Sequence, residues 1–142
     1  MSKYKYGFGS TAKLITVKPS LQAVCKRALG YEVMDATVIQ GVRYQAEQDR
    51  YFDLEQSKVK WPNSKHNVLV PGSLANAVDV APYINGKVSW KHVHCCVWAG
   101  LMLAAAEEEG VRLRWGGCWS GNPGDIGNQD LNDYVHFELV GG

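Results

Sequence analysis

Four side chains able to ligate zinc stand within five residues at His92-Val93-His94-Cys95-Cys96, and imidazoles and thiolates are the ligands that zinc prefers. Spacing argues against a site there. On a helix beginning near Ser89, His92 and Cys96 share a face at i and i+4, whereas His94 points away from both and Cys95 falls between faces. Four ligands so placed cannot converge on one tetrahedral ion. Val97, Trp98, Leu101, Met102 and Ala105 follow as packing residues, and no HExxH pattern is present. The cluster reads as the first turns of a packing helix.

A dispersed set offers better chemistry. His66 sits in the loop SKHN, Asp79 on the non-core face of an expected strand, and His136 on the non-core face of the last expected strand, with Asp133 three residues before it. Two imidazoles and one carboxylate leave a fourth zinc position to water, the arrangement of a hydrolytic site. A further carboxylate held off the metal can take the proton from that water, and Asp133 stands where it could do so. Spacing alone leaves open the reading in which these histidines are structural.

The elements that must position these residues follow from periodicity. Pro19 and Ser20 open a helix in which Leu21, Val24, Cys25, Ala28 and Leu29 share a face, with Gly30 as its stop. ATVIQGVR (36–43) reads as a strand and turn, and YQAEQDRYFDLEQ (44–56) as a helix, with Arg43 at the junction. The stretch 61–76, rich in Pro, Gly, Asn and Ser, reads as a loop. It leads to AVDVAPY, where Val78 and Val80 face the core and Asp79 faces the other side. A turn at Asn85-Gly86 precedes a long helix, about Ser89 to Glu109, ended by Gly110. A short strand at RLRW, a Gly/Asn/Asp loop long enough to be functional, and the strand YVHFELV complete the chain. In that last strand Val135, Phe137 and Leu139 take one face, and His136, Glu138 and Val140 the other. This order of elements predicts an α+β fold, a small, mainly antiparallel sheet with helices on one face, in a single domain spanning 1–142.

Composition bounds the partners. With 142 residues, a net charge of +1 and a pI near 7.7, the chain lacks the broad basic field of a phosphate-tracking protein, which excludes nucleic acid. The N-terminus has no apolar segment of signal-peptide length. The longest apolar run, 97–106, falls short of the roughly 20 residues that span a bilayer, so no stable membrane association is expected. Cys25, Cys95, Cys96 and Cys118 show no CxxC spacing and predict free, mostly buried thiols in a reducing compartment.

Taken in order, SKH, AVDVAPY, WGG.W and D..HFEL resemble the motifs of M15-type zinc peptidases, specifically the short phage endolysins that act as L-alanyl-D-glutamate endopeptidases. D-Ala-D-Ala carboxypeptidases and dipeptidases are more distant relatives of these. The resemblance extends through V.QGVR…Q.R (38–50) and NGKVSW (85–90), from the first helix to Leu139. It implies the hedgehog/DD-peptidase-like fold, with one catalytic Zn²⁺ on His66, Asp79 and His136, Asp133 as general base, and Arg43 on the substrate carbonyl and its oxyanion. It further implies hydrolysis of the L-Ala–D-Glu bond of the peptidoglycan stem peptide for host cell lysis. Synthesis in the host cytoplasm and release to the periplasm and wall by a separate holin follow from the same resemblance, and the single-domain length leads to the expectation of no separate wall-binding domain. A D,D- or L,D-carboxypeptidase and a silent wall-peptide-binding module are the alternative readings.

Three departures from the family pattern stand out. Asp79 follows His66 by thirteen residues, more than in the family's SxHxxGxAxD, with 68–74 as an apparent insertion. Ala75 or Asn76 replaces the glycine usual before AVD, and Cys118 replaces the Asp of WGGDW. Around the expected site, Ser64 of the SxH motif should contact substrate, and Trp115 and Trp119 either line a sugar-peptide cleft or cap the core. Glu138 reads as a partner of His136 rather than a rival base. Glu107, Glu108 and Glu109 read as a solvated helix end, and Asp125 and Asp130 as candidates for a regulatory Ca²⁺. A monomer is expected.

Overall fold

The alternation in AVDVAPY produces the central strand. In the computed structural model, which describes residues 3–141, β2 (Ala77–Ile84) pairs antiparallel with β1 (Ala36–Gln40) on one side and β5 (His136–Leu139) on the other. The strand β4 (Leu113–Trp115) completes the order β1-β2-β5-β4, and β3 (Lys87–Val88) folds back on β2 through the turn at Asn85-Gly86.

Period-two geometry then splits the sheet into two chemistries. On one face Val38 pairs with Val80, Val78 with Phe137, and Phe137 with Trp115, all of them buried. On the other, Gln40 lies opposite Asp79, Asp79 opposite His136, and Glu138 opposite Arg114.

Helices close over the apolar face. The helix α4 (His92–Glu109) buries Cys95, Trp98, Ala99, Met102, Ala105 and Ala106, and ends at Gly110 in the left-handed region. Against it packs α2 (Pro19–Gly30), whose buried residues are the expected Leu21, Val24, Cys25, Ala28 and Leu29. The short α1 (Phe8–Leu14) leans on β1, where Ser10 Oγ accepts from the Val38 N–H at 3.0 Å. A fourth helix, α3 (Gln45–Asp53), stands with the 54–67 and 116–135 segments around the polar face.

Local expectations needed three adjustments. Gly30 is the last residue of α2, and the left-handed residue that ends the run is Glu32 (φ 62). The long helix begins at His92 because Ser89 is used elsewhere. Its N–H donates to Pro82 O, and its hydroxyl bonds His94 Nδ1 at 2.6 Å. The acidic end of α4 is bound to α2, since Arg27 pairs with Glu109 at 2.6 Å and with Glu108 at 3.4 Å, and Tyr31 bonds Glu108. The apparent insertion runs away from the polar face. Lys18 N–H donates to Ala75 O and Ala75 N–H to Thr16 O, which stitches the end of the insertion to the α1–α2 connection and leaves Leu69 and Val70 exposed.

Gly41, just past β1, shows how tightly this frame is closed. A Cβ there would fall inside contact distance of the Lys13 carbonyl and the Thr16 hydroxyl. That hydroxyl already accepts from Val42 N–H and donates to Lys13 O. Gly41→Ala is therefore expected to lower stability by about 1–3 kcal/mol, measured as a shift in the urea midpoint; an unchanged midpoint would show that the α1 turn yields freely.

Candidate metal centre

The direct pairing of Asp79 with His136 across β2 and β5 sets two of the expected residues side by side. His66 reaches them from a loop that is stitched to the β1–α3 connection. Arg43 N–H donates to His66 O at 2.8 Å, Asn67 Nδ2 donates to Arg43 O at 3.1 Å, and His66 N–H donates to Ser64 Oγ at 3.2 Å. These bonds fix His66 from the β1–α3 side, while Asp79 is fixed by its strand, whatever the length of chain between them.

The two imidazoles are oriented by their outer nitrogens. His66 Nδ1 lies 2.8 Å from Gly41 O, which can only accept, so that nitrogen carries the proton. His136 Nε2 lies 2.8 Å from Glu138 Oε1 and donates to it. The inner nitrogens then present lone pairs: His66 Nε2 and His136 Nδ1 each lie 3.1 Å from Asp79 Oδ1 and 3.2 Å from each other. Three buried acceptors meeting at one point repel unless a cation sits among them. Ligand atoms about 2.0–2.1 Å from a tetrahedral zinc lie roughly 3.3 Å apart, so the donor set fits that ion. These three residues are the group of possible metal ligands among the described residues.

Titration directions follow from the same contacts. Burial works against charge on His136, but its hydrogen bonds to Asp79 and Glu138 prevail and push its pKa up to about 10. Burial likewise opposes ionisation of Asp79, yet the two histidines hold its carboxyl well below the usual range. A proton is therefore the competitor of a metal here. Glu138 is drawn down to about 2, against the effect of burial, by its bonds to His136 and to Arg114 at 2.7 Å. Asp133 moves the other way: burial and the charge of Asp79 raise it above the ordinary carboxylate range.

Around the three acceptors opens a cleft of about 670 Å³, lined among others by Arg43, Tyr51, Ser64, Trp119, Asn132 and Asp133. Asp133 is set by the turn into β5: its N–H donates to Gly116 O at 2.9 Å, and its O accepts from His136 N–H at 3.2 Å. Gly116 is required for that approach, because a Cβ there would collide with the Asp133 carbonyl. Arg43 projects its Nη2 to 3.9 Å from Asp79 Oδ2 and stacks over the Tyr51 ring at 4.6 Å. Its buried Nε has no hydrogen-bond partner among the described residues. Trp119 stands with its ring 5.5 Å from that of His136. Ser64 lines the cleft, but its hydroxyl holds the His66 backbone.

Other expectations are redistributed. Trp115 does not reach the cleft. Its register opposite Phe137 puts it on the apolar face, 3% exposed, with Nε1 donating to Tyr134 O. The Cys118 thiol donates to Asn122 O at 3.0 Å and stays outside the ligand group. His92 stacks on Tyr134, His94 bonds Ser89, and Cys95 is buried, so the HVHCC side chains disperse. Asp125 accepts from Ser120 Oγ and Asp130 is exposed; neither joins a group of three or more possible ligands among the described residues. Residues that sequence reasoning passed over are Gly41 and Gly116, which need the tertiary contact to be noticed, Arg114, and Gln48, whose only signal was its place in Q.R.

Residues 1–140 match the family described as Phage L-alanyl-D-glutamate peptidase. The chain is 36% identical over 141 residues to the L-alanyl-D-glutamate peptidase of Escherichia phage T5, covering 96% of this chain and 98% of that one. Its structure is similar to the crystal structure of the Serratia marcescens L-Ala D-Glu endopeptidase ChiX, with a TM-score of 0.77 and 28% identity over 97% of this chain and 92% of that chain.

Metal analysis separates the two histidine clusters. His66→Ala and His136→Ala are expected to lose the bound ion, and Cys95→Ala and Cys96→Ala to retain it. Glu138→Gln, which keeps an acceptor but removes the charge facing His136, should weaken affinity about 10- to 100-fold in a chelator competition. Loss of the ion in the cysteine variants would move the site to α4.

Proposed function

The chain belongs to the phage L-alanyl-D-glutamate peptidase family, and we propose that it is a zinc-dependent endopeptidase that hydrolyses the L-Ala–D-Glu bond of the peptidoglycan stem peptide during host lysis. The observation that carries this reading is the triangle of buried acceptors on His66, Asp79 and His136, with Asp133 and Arg43 in the same cleft. His66, Asp79 and His136 hold the ion, whose chemistry is to polarise a carbonyl and acidify water.

The rest of the chemistry belongs to the side chains. Asp133, made more basic by burial and by the charge of Asp79, takes the proton of the attacking water on a carboxylate oxygen. The water oxygen bonds to the L-Ala carbonyl carbon, and the C–N bond to D-Glu breaks. The proton held on Asp133 then passes to the departing nitrogen, leaving a free D-Glu amine. Arg43 Nε and Nη2, neither engaged by a strong internal partner, face the carbonyl oxygen and stabilise the negative charge that gathers there in the transition state. Glu138 fixes the His136 ring through Nε2, and Gly41 O fixes His66 through Nδ1. Trp119 forms the wall beside His136 against which the peptide lies.

Every group that this reaction uses comes from one chain, and in this reading the protein works as a monomer with one peptidase domain. No helix among the described residues is long and apolar enough to cross a membrane. In this reading the enzyme is made in the host cytoplasm and meets the wall after a separate, holin-type protein opens the membrane.

Digestion of purified peptidoglycan, followed by mass spectrometry, tests the reading. New D-Glu amino termini should appear, disappear with a chelator and return with zinc. Loss of terminal D-Ala alone would point to a carboxypeptidase instead, and no cleavage to a binding module. Asp133→Asn should keep zinc while kcat falls by about 10²- to 10⁴-fold, and Arg43→Ala should lower kcat by about 10²- to 10³-fold. Full turnover in Asp133→Asn would remove that residue as the base.

A further inference from the structure

The one fully buried residue of α3 is a glutamine. Gln48 is 0% exposed, and a buried amide is tolerated only where its hydrogen-bonding capacity is met. Here all of it is met. Nε2 donates to Val59 O at 2.5 Å and to Ser57 Oγ at 3.0 Å. Oε1 accepts from Arg43 Nη1 at 3.1 Å and from Asn67 Nδ2 at 3.2 Å. The orientation of the amide is dictated by its neighbours, because Val59 O can only accept and a guanidinium can only donate.

We propose that Gln48 is a positioning residue for the peptidase reaction: it holds the Arg43 guanidinium at its working distance from Asp79 and ties it to the cleft rim at 57–59. The inference rests on the role given to Arg43 above. The guanidinium has two other restraints, the Tyr51 ring beneath it and the Asp79 carboxylate 3.9 Å away. The ring limits motion out of plane but not sliding across its face. Asp79 attracts the guanidinium directly. Without the bond from Nη1 to Gln48, that attraction draws Arg43 into a closed ion pair with Asp79, which takes its charge from the substrate oxygen.

The other half of the amide faces the substrate side. Ser57, Lys58 and Val59 all line the cleft, and Gln48 Nε2 bonds two of the three. Asn67, next to His66, bonds both Gln48 Oε1 and the Arg43 carbonyl. One planar head group thus joins the arginine, the rim and the His66 loop. Glutamine suits the place because it has an acceptor and two donors at the end of a chain long enough to reach from α3. A glutamate there keeps the acceptor for Arg43 and sets an oxygen against Val59 O, whereas a methionine fills the volume and leaves Arg43 unheld.

A double-mutant cycle on the zinc-loaded enzyme tests this. Gln48→Met should lower kcat about 10- to 100-fold with KM changed much less and zinc still at one per chain. In an Arg43→Ala background the same substitution should cost less than about twofold. Gln48→Glu should retain more kcat than Gln48→Met, because it still holds Arg43. A purely structural glutamine predicts the opposite order, since Glu buries a charge and loses both donors. If Gln48→Met does not fold, Gln48→Asn, one methylene short of Arg43, enters the same cycle with the same expected outcome. Equal losses in both backgrounds, or an unchanged kcat in the folded single variant, would overturn the positioning role alone. A normal kcat for Arg43→Ala by itself would instead overturn the role of Arg43, and this proposal with it.

Discussion

Three acceptor atoms held 3.1–3.2 Å apart in a buried pocket, on His66, Asp79 and His136, are the constraint on which the rest of this structure turns. Alone, such a cluster is repulsive, and either a proton or a metal ion must occupy it. The surrounding architecture favours the metal by spending the outer nitrogens first. Gly41 O and Glu138 take the proton-bearing side of each ring, so both lone pairs turn inward. Glu138 is in turn kept ionised by its bonds to His136 and to Arg114, and each partner extends the site one layer further into the sheet.

That layering is a property of antiparallel pairing. Because β2, β5 and β4 are in register, Asp79 stands beside His136 and Glu138 beside Arg114 on one face, while Val78, Phe137 and Trp115 align on the other. The apolar row is covered by α4 and α2 and supplies the stability. The polar row is left to the loops and supplies the chemistry. The two are inseparable: a one-residue slip of β5 would bury His136 in the core and turn Phe137 to the cleft.

The loops around the polar face are not loosely attached. Backbone bonds from Arg43 to His66, from Asp133 to Gly116 and from Asn76 to Lys65 hold the ligand loop and both walls to the sheet. The same stitching explains how the segment between His66 and Asp79 accommodates extra residues. Its ends are pinned at Asn67 and Ala75, so the surplus chain bulges outward past Leu69 and Val70 rather than over the cleft. A surface loop lengthened in this way costs little closure entropy.

Much of this was legible in the sequence. The two periodicities predicted helices at 19–30 and from about Ser89 to Glu109 and strands at AVDVAPY and YVHFELV, and the structure has them at 19–30, 92–109, 77–84 and 136–139, because each has a core to face and its apolar spacing records which side faces it. His66, Asp79, His136, Asp133 and Arg43 were legible through the ordered motifs, and they meet in one cleft. Tertiary structure alone decided the rest. Trp115 and Trp119 have the same type and neighbouring positions, yet strand register sends one into the core and leaves the other beside His136. Gly41 and Gly116 matter for atoms they do not have, against partners 28 and 17 residues away in the chain, Lys13 and Asp133 respectively. Gln48 reads as an ordinary polar helix residue until Val59, Asn67 and Arg43 surround it. Sequence determined which chemical groups were present and which side of each element they occupy; the distances among groups on different elements, on which coordination and proton transfer depend, exist only once the strands have paired.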